Sequence, residues 1–106
     1  METVYQATQP TRADIDGLTG PAVLEFGANW CGICQAAQPL LRTAFAEYSN
    51  IPHFKVEDGP GRALGRSYRI KLWPTLIFLH DGKEVARVVR PDNLDELRAG
   101  FAQAAG

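Results

Sequence analysis

Residues 22–34 read AVLEFGANWCGIC, and they carry the pattern from which we predict the fold of the chain. Its first half, residues 22–28, is mostly apolar without regular alternation, which is typical of a central β-strand covered on both faces. Its second half carries Cys31 and Cys34, the only two cysteines in the chain. Because residues three apart share one face of a helix at about 5 to 6 Å, a helix that opens here would hold the two sulfurs close enough for a disulfide.

The spacing of Cys31 and Cys34 indicates a redox pair. Unpaired backbone N–H groups and the positive end of the helix dipole favour a thiolate on the first sulfur, and the thiolate is the nucleophile in disulfide exchange. We therefore expect Cys31 to attack a substrate disulfide. Cys34 lies one turn further into the predicted helix, so we expect it to be shielded and to resolve the mixed disulfide.

Other chemistries are open to a pair of cysteines. They could be inert thiols, although inert thiols have no need of helical spacing. A structural zinc site needs four ligands, and only His53 and His80 remain, distant in sequence from each other and from the cysteines. Attachment of a c-type haem requires His directly after the second cysteine, where position 35 is Gln. We expect no metal, and for both histidines we expect solvated or hydrogen-bonded structural roles.

The composition suits one domain over residues 1–106. With 45% hydrophobic residues, a chain of 106 residues can bury one core and leaves little for linkers. It carries 11 Lys and Arg residues against 12 Asp and Glu, without a basic block, so we expect no nucleic-acid partner. The N-terminus does not resemble a secretory signal, and the apolar run over residues 72–79 is too short to span a bilayer. We therefore expect a soluble, cytoplasmic monomer without a membrane contact.

The remaining pattern predicts the order β, α, β, α, β, β, α after an N-terminal piece. The early βαβ unit requires a parallel strand pair, and a hairpin about Asp81-Gly82 adds antiparallel strands, so we expect a mixed α/β sheet. The predicted boundaries are a short helix opened by a capping box at Thr11 and Asp14, a helix reaching about Tyr48, a strand over 51–57, a short helix over 62–68, strands over 75–79 and 84–89, and a last helix capped by Asp92.

At this point the chain resembles the thioredoxin family from end to end. Besides the two cysteines, the resemblance is carried by Trp30 before the motif, Pro39 inside the helix, the segment Trp73-Pro74-Thr75 and Gly82 in the hairpin. It implies the thioredoxin fold, a central mixed β-sheet flanked by helices on both faces. It further implies a thiol:disulfide oxidoreductase that reduces protein disulfides, with a thioredoxin reductase as partner and no cofactor beyond the Cys31–Cys34 disulfide.

The resemblance also assigns a pair of charged residues. Glu25 interrupts the apolar strand at the position where the family carries Asp, and Lys55 matches a Lys that the family places on the next strand. Burial would raise the pKa of Glu25 and let it act as a base for the resolving thiol. The alternative is an edge-exposed or salt-bridged strand residue. Gly27 replaces a family aromatic residue, which leaves either a gap behind the motif or a close backbone approach.

Resemblance places the substrate beside a cis-proline. We expect a cis peptide bond before Pro74, with the neighbouring backbone pairing with an extended substrate segment. Trp30 and Trp73 would flank the sulfurs with apolar area, or else belong to the core. The predicted substrate-binding residues are Trp30, Gly32, Ile33, Trp73, Pro74 and Thr75.

Two alternatives to a disulfide reductase stay open on the sequence. One is a thioredoxin-like binding or chaperone module whose cysteines are not essential. The other is an oxidising or isomerising relative, since Ile33 stands where the family often has Pro and residues between the cysteines alter the redox poise.

Overall fold

Four strands form one mixed sheet in the computed structural model, which describes residues 1–106. The elements in chain order are α1 (Arg12–Asp16), β1 (Pro21–Gly27), α2 (Gly32–Glu47), β2 (His53–Glu57), α3 (Ala63–Ser67), β3 (Thr75–His80), β4 (Lys83–Val89) and α4 (Leu94–Ala105). The strand order is β2-β1-β3-β4. Strand β1 is parallel to β2 and antiparallel to β3, and β3 is antiparallel to β4. The predicted order of elements and the mixed sheet are therefore confirmed.

Local signals in the sequence set several element ends. Thr11 caps α1 with the predicted capping box, in which its side chain accepts from the backbone N–H of Asp14 and the Asp14 side chain accepts from that of Thr11. The hairpin turn has Asp81 and Gly82 at φ of 51° and 77°, as a two-residue type I′ turn requires. Helix α2 continues through Pro39 to Glu47, one residue short of the predicted end.

The predicted cap of the last helix was wrong. Asn93, and not Asp92, is the N-cap of α4, and its side-chain oxygen accepts from the backbone N–H of Glu96 at 3.0 Å. Asp92 instead accepts from the Asn93 side-chain amide at 2.9 Å. Asn and Asp are about equally good N-caps, so composition alone does not decide between two adjacent candidates.

Helices cover both faces of the sheet, as the resemblance implied. Alternation along β1 sends Ala22, Leu24 and Phe26 to one face and Val23, Glu25 and Gly27 to the other. The first face packs on α1 and α3 through Ile15, Leu64 and Tyr68. The second packs on α2 and α4 through Leu41, Ala44, Phe45, Leu97, Phe101 and Ala104. Glu25 and Gly27 therefore point towards the side of the sheet on which α2 lies.

The segment before α1 is held against the sheet. Gln6 forms a parallel bridge with Val56, in which its N–H donates to the Lys55 carbonyl at 2.8 Å and its carbonyl accepts from the Glu57 N–H at 2.9 Å. This pairing extends the sheet edge beyond β2 by a single bridge. It brings the residue before it, Tyr5, to the end of β1 where the cysteine motif begins.

No helix in the structure has both the length and the apolar character needed to cross a membrane.

Candidate active site

The two cysteines occupy the first turn of α2. Cys31 is the N-cap residue, and its sulfur accepts from the backbone N–H of Cys34 at 3.2 Å. Both cysteines are unbonded thiols in this structure. Cys31 is 8% exposed, whereas Cys34 is fully buried. The helix start thus brings the two sulfurs to one site and leaves only the first of them in partial contact with solvent.

The surroundings of the two sulfurs differ chemically. Burial, together with the neighbouring Cys31, raises the pKa of Cys34 to about 11. The Ala28 backbone and the Tyr5 hydroxyl act in the opposite direction through hydrogen bonds. Cys34 therefore keeps its proton at neutral pH. The sulfur of Cys31, in contrast, lies at the solvent-facing end of the pair and accepts a backbone N–H.

Glu25 lies behind the cysteines with no exposure to solvent. It stands opposite Lys55 in the parallel register of β1 and β2, and the Lys55 ammonium lies 3.3 Å from its Oε2 atom. The Lys55 side chain is equally buried and also donates to the side-chain oxygen of Gln38 on α2. The Gln38 amide nitrogen in turn donates to Glu25 Oε2 at 3.3 Å. The carboxylate and the ammonium that the resemblance paired are thus a buried ion pair, and both of its members are hydrogen-bonded to Gln38.

The expected direction of the Glu25 pKa was wrong. Burial acts to raise the pKa of Glu25, but a hydrogen bond from His53, the charge of Lys55 and a hydrogen bond from Tyr5 outweigh it and hold the pKa below its usual range. Glu25 is therefore an ionised carboxylate at neutral pH. The sequence showed that this carboxylate is buried in a strand, but it did not show how many donors surround it.

His53 is one of the residues whose part in the site the sequence did not reveal. Its side chain is 3% exposed, its Nε2 atom lies 3.0 Å from Glu25 Oε1, and its ring stacks on Phe45 at 4.1 Å between centroids. The Glu2 backbone N–H donates to its Nδ1 atom at 3.1 Å, so Nε2 carries the proton and donates to Glu25. The prediction of a hydrogen-bonded structural histidine is confirmed. It is also confirmed for His80, whose Nδ1 atom bonds the Ala104 carbonyl at 2.7 Å.

Tyr5 fills the space that Gly27 leaves. A Cβ atom built on Gly27 would lie 2.6 Å from the Tyr5 ring, 2.7 Å from its hydroxyl oxygen and 2.8 Å from Cys34 Sγ. The close backbone approach predicted at Gly27 is therefore present, and an aromatic ring from the N-terminal segment supplies the bulk. The Tyr5 hydroxyl donates to Glu25 Oε2, and burial together with this carboxylate raises the pKa of Tyr5 far above its usual range. The missing side chain at Gly27 was the one sequence signal that could have led to Tyr5.

The surface in front of the cysteines is apolar. Trp30 is 74% exposed and meets Trp73 edge to face, with 5.6 Å between the ring centroids. Trp73 is half-buried beside the cysteines, and its indole N–H donates to Asp58 at 2.9 Å. Ile33 and Gly32 are exposed on the first turn of α2. We refer to Trp30, Ile33 and Trp73 below as the front surface.

The predicted cis peptide bond between Trp73 and Pro74 is present. Pro74 and Thr75 are both buried, and the Thr75 hydroxyl donates to the Leu72 carbonyl at 2.6 Å. The two side chains thus point into the protein, so a substrate could meet these residues only through their main chain. The Arg90 backbone N–H already donates to the Pro74 carbonyl at 2.9 Å.

Residues 1–106 contain no cluster of three or more His, Cys, Asp or Glu side chains arranged to hold a metal ion.

Comparison with known proteins agrees with this geometry. The family model described as Thioredoxin matches residues 4–103. The structure of thioredoxin 2 from Pseudomonas aeruginosa PAO1 in its reduced form is 55% identical in sequence, with a TM-score of 0.87 over 99% of this chain and 97% of that one. A thioredoxin of Chlamydia caviae is 39% identical over 74% of this chain and 78% of its own length, and thioredoxin Asp f 28 of Aspergillus fumigatus is 32% identical over 74% and 73%. The protein therefore belongs to the thioredoxin family and is a thiol:disulfide oxidoreductase that reduces protein disulfides, with the Cys-x-x-Cys motif at Cys31 and Cys34.

Proposed function

We propose that Cys31 is the attacking nucleophile and Cys34 the resolving thiol of this disulfide reductase. The observation that carries the assignment is the asymmetry of the pair. Cys31 retains some exposure and accepts a backbone hydrogen bond, whereas Cys34 is fully buried and its pKa is raised to about 11. A sulfur that is both reachable and within hydrogen-bond distance of a backbone N–H is the one that can begin disulfide exchange.

The reaction then has two exchange steps. The Cys31 thiolate attacks one sulfur of a substrate disulfide, an S–S bond forms between them, and the other substrate sulfur leaves as a thiolate that takes a proton from water. Cys34 loses its proton and attacks Cys31 Sγ, which breaks the bond to the substrate and forms the Cys31–Cys34 disulfide. The substrate gains two electrons, and no bound cofactor is needed because both come from the two sulfurs.

Glu25 and Lys55 support the second step in this proposal. A proton must leave Cys34 before it can attack, and Glu25 is the ionised carboxylate on the same side of β1. The hydrogen bond from His53 and the charge of Lys55 keep Glu25 ionised despite burial, since the His53 Nε2 atom lies 3.0 Å and the Lys55 ammonium 3.3 Å from the carboxylate. We assign Glu25 the part of proton acceptor and Lys55 that of a positioning residue that acts through it.

The front surface is the proposed substrate platform. Flat apolar area beside Cys31 suits the loops and unfolded segments in which reducible disulfides lie. Gly32 leaves open space beside the first turn, since a Cβ there would have no neighbour within 4 Å. The proposed substrate contacts are therefore the side chains of Trp30, Ile33 and Trp73, the backbone at Gly32, and the main chain at Pro74 and Thr75.

The cellular setting follows from the family. Thioredoxins in general act on protein disulfides and are themselves reduced by a reductase, so we propose that a thioredoxin reductase returns the Cys31–Cys34 disulfide to the dithiol, as part of cellular electron transport. We further propose that residues 1–106 act as one domain and as a monomer, and that they do so in the reducing environment of the cytoplasm.

A disulfide-reduction assay with dithiothreitol as electron donor tests the assignment of the two sulfurs. Cys31→Ser should show no turnover above that of dithiothreitol alone. Cys34→Ser should instead form a stable mixed disulfide with the substrate and release one thiol for each protein molecule. The reverse behaviour of the two variants would contradict the assignment.

Two further measurements are needed, one for the direction of the redox reaction in the cell and one for the choice between an enzyme and a binding module. A reduction potential determined against glutathione separates a reductant from an oxidising relative, and we expect a potential well below that of glutathione. If the Cys31→Ser/Cys34→Ser protein protected unfolded partners in a cell as effectively as the parent does, the binding-module alternative would hold instead.

A further inference from the structure

In the proposed function Glu25 accepts the proton of Cys34, but the two groups are not in contact. No direct hydrogen bond joins the Glu25 carboxylate to Cys34. The group between them is the phenol of Tyr5, whose hydroxyl donates to Glu25 Oε2 on one side and lies against Cys34 on the other. Both the hydroxyl oxygen and Cys34 Sγ come within 2.8 Å of a single point, the position of a Cβ on Gly27.

The main chain holds Tyr5 firmly in this position. Its N–H donates to the Asn29 side-chain oxygen at 2.8 Å, and the Asn29 amide nitrogen donates back to the Tyr5 carbonyl at 3.2 Å. The next residue, Gln6, is paired with β2 on both of its backbone groups. The Lys55 ammonium lies 4.5 Å from the centre of the Tyr5 ring. A residue outside every named helix and strand is thus fixed from three directions.

The direction of the hydrogen bond is informative. A phenol has one proton and oxygen lone pairs that can accept. With its proton donated to Glu25, the Tyr5 oxygen can accept from the Cys34 thiol. Once Cys34 is a thiolate, the same hydroxyl can donate to the sulfur, and this is the contact that lowers the Cys34 pKa. The order Cys34 S–H, Tyr5 O–H, Glu25 carboxylate is then a continuous path along which protons can move one bond each.

We propose that Tyr5 relays the proton of Cys34 to Glu25 during the resolving step. The Cys34 proton passes to the Tyr5 oxygen while the Tyr5 proton passes to Glu25 Oε2, so Tyr5 is a neutral phenol before and after. The Cys34 thiolate bonds to Cys31 Sγ, and the substrate sulfur leaves as a thiolate that is protonated by water. Because the pKa of Glu25 is held low, Glu25 then gives this proton up to solvent, and when the protein is reduced again a proton from solvent returns to the departing Cys34 along the same path. This inference rests on the proposed roles of Cys34 and Glu25.

Ionisable groups from three elements surround the path. Glu25 comes from β1, Cys34 from α2, and Lys55 and His53 from β2. Lys55 and His53 contact Glu25 and are not hydrogen-bonded to Cys34. The Gln38 amide nitrogen donates to Glu25 and to the Cys34 carbonyl, but it accepts no proton and does not bond the sulfur, so Tyr5 carries the group that can pass a proton between the sulfur and the carboxylate. The raised pKa of Tyr5 is consistent with a phenol that passes a proton without ever holding a negative charge.

Stopped-flow reaction with an aromatic disulfide that releases a coloured thiolate tests the relay. The first equivalent released reports the attack by Cys31, and the second reports resolution by Cys34. Tyr5→Phe keeps the ring that fills the space at Gly27 and removes the hydroxyl. We expect the first phase to be unchanged and the second to slow by about 10²-fold at pH 7, the lower end for a lost acid–base group.

The pH profile separates a relay from a structural role. With the relay, the second phase should change little with pH while Glu25 is ionised. Without it, the rate should follow the thiolate fraction of Cys34 and rise about tenfold for each pH unit, so the deficit of Tyr5→Phe should shrink towards the Cys34 pKa of about 11. A deficit that is equal at every pH, or no deficit in the second phase, would overturn the relay.

A matched control is available in Tyr68→Phe. Tyr68 is also buried, packs on the opposite face of the sheet, and its hydroxyl has no hydrogen-bond partner. Removal of that hydroxyl should leave both phases and their pH profiles unchanged. Glu25→Gln should resemble Tyr5→Phe, and the double variant Tyr5→Phe/Glu25→Gln should resolve no more slowly than either single variant. If the second-phase rate of the double variant fell by the product of the two single-variant factors, the two residues would act separately and the relay would be overturned.

A solvent isotope measurement on the unaltered protein covers the case in which Tyr5→Phe fails to fold. If two protons move in the resolving step, the second-phase rate in mixtures of light and heavy water should fall with the deuterium fraction along a curve rather than a straight line. The absence of any isotope effect on that phase would overturn the relay. Loss of the first phase in Cys31→Ser would still support the proposed function, so failures of the two proposals are distinguishable.

Discussion

The region in front of Cys31 and the region behind Cys34 differ in how their residues depend on one another. Trp30 and Ile33 in front are exposed, contact few groups and contribute area. Behind the cysteines, Glu25, Lys55 and Tyr5 are buried and each hydrogen bonds or stacks on another. A residue in front can be replaced without affecting its neighbours, whereas replacement of a residue behind leaves its hydrogen-bond and charge partners unsatisfied. Stability and chemistry are therefore separable on one side of the dithiol and coupled on the other.

The largest effect that this comparison predicts is that of Lys55→Met. The substitution leaves the buried Glu25 carboxylate without its counter-charge, and breaking such a pair costs about 3–5 kcal/mol of unfolding free energy. Denaturant unfolding at pH 7 measures the loss. Lys71→Met, at an exposed lysine, is the matched control and should change the unfolding free energy by less than about 0.5 kcal/mol. A loss below about 1 kcal/mol for Lys55→Met would mean that the residues behind the cysteines do not depend on one another for stability.

The pH dependence of the unfolding free energy of the same variant tests whether the charge of Glu25 causes the loss. In the parent the folded pKa of Glu25 lies below its unfolded value of about 4.3, so its ionisation stabilises the protein above that pH, and this is lost as pH falls through the folded pKa. Lys55→Met removes a group that lowers the Glu25 pKa, so protonation of Glu25 becomes easier in the folded variant. The stability difference between parent and variant should therefore shrink from pH 7 to pH 4. A difference that stays constant over that range would show that the charge of Glu25 is not its cause.

A smaller loss of unfolding free energy is expected for Gly27→Ala. The added methyl group would lie within 2.8 Å of the Tyr5 ring, the Tyr5 hydroxyl and Cys34 Sγ, so at least one of them must shift. Overpacking of this kind costs about 1–3 kcal/mol. Gly32→Ala is the matched control in front, since a Cβ there has no neighbour within 4 Å, and helix propensity should make it neutral or stabilising by about 1 kcal/mol. Equal thermal midpoints for the two variants would contradict the difference between the regions.

The two regions also differ in how far the sequence predicted them. Most of the front follows from local order, because Trp30, Cys31, Ile33 and Cys34 are consecutive or nearly so at the start of α2. Trp73 comes from a distant segment, and its place beside the cysteines was predicted from the resemblance. The strands and helices followed from periodicity and turn residues in the same way. The cis bond before Pro74 and the Glu25–Lys55 pair came from resemblance to the family, and both are confirmed.

The region behind the cysteines escaped prediction because distant segments build it. Tyr5 reaches Glu25 across 20 residues and His53 across 28. Their positions depend on the pairing of Gln6 with β2 and on the register that sets Val23 opposite His53. Neither the register nor the bridge has a local sequence signal. For the same reason the pKa of Glu25 was expected to rise, since burial of a strand residue is visible in the pattern and its donors are not.

The smallest effect on stability is expected for Trp30→Ala, which removes an exposed ring of the front surface. Trp30 is 74% exposed, so its loss should change the unfolding free energy by less than about 0.5 kcal/mol. If the front surface binds substrate, the same variant should raise KM for a protein disulfide several-fold while the reaction with a small aromatic disulfide stays unchanged, because a small reagent needs no platform. Val85→Ala, at an exposed residue of β4, is the control and should change neither. An unchanged KM in Trp30→Ala would leave Trp73 and Ile33 to hold the substrate alone, and a large loss of stability would mean that the front is as coupled as the back.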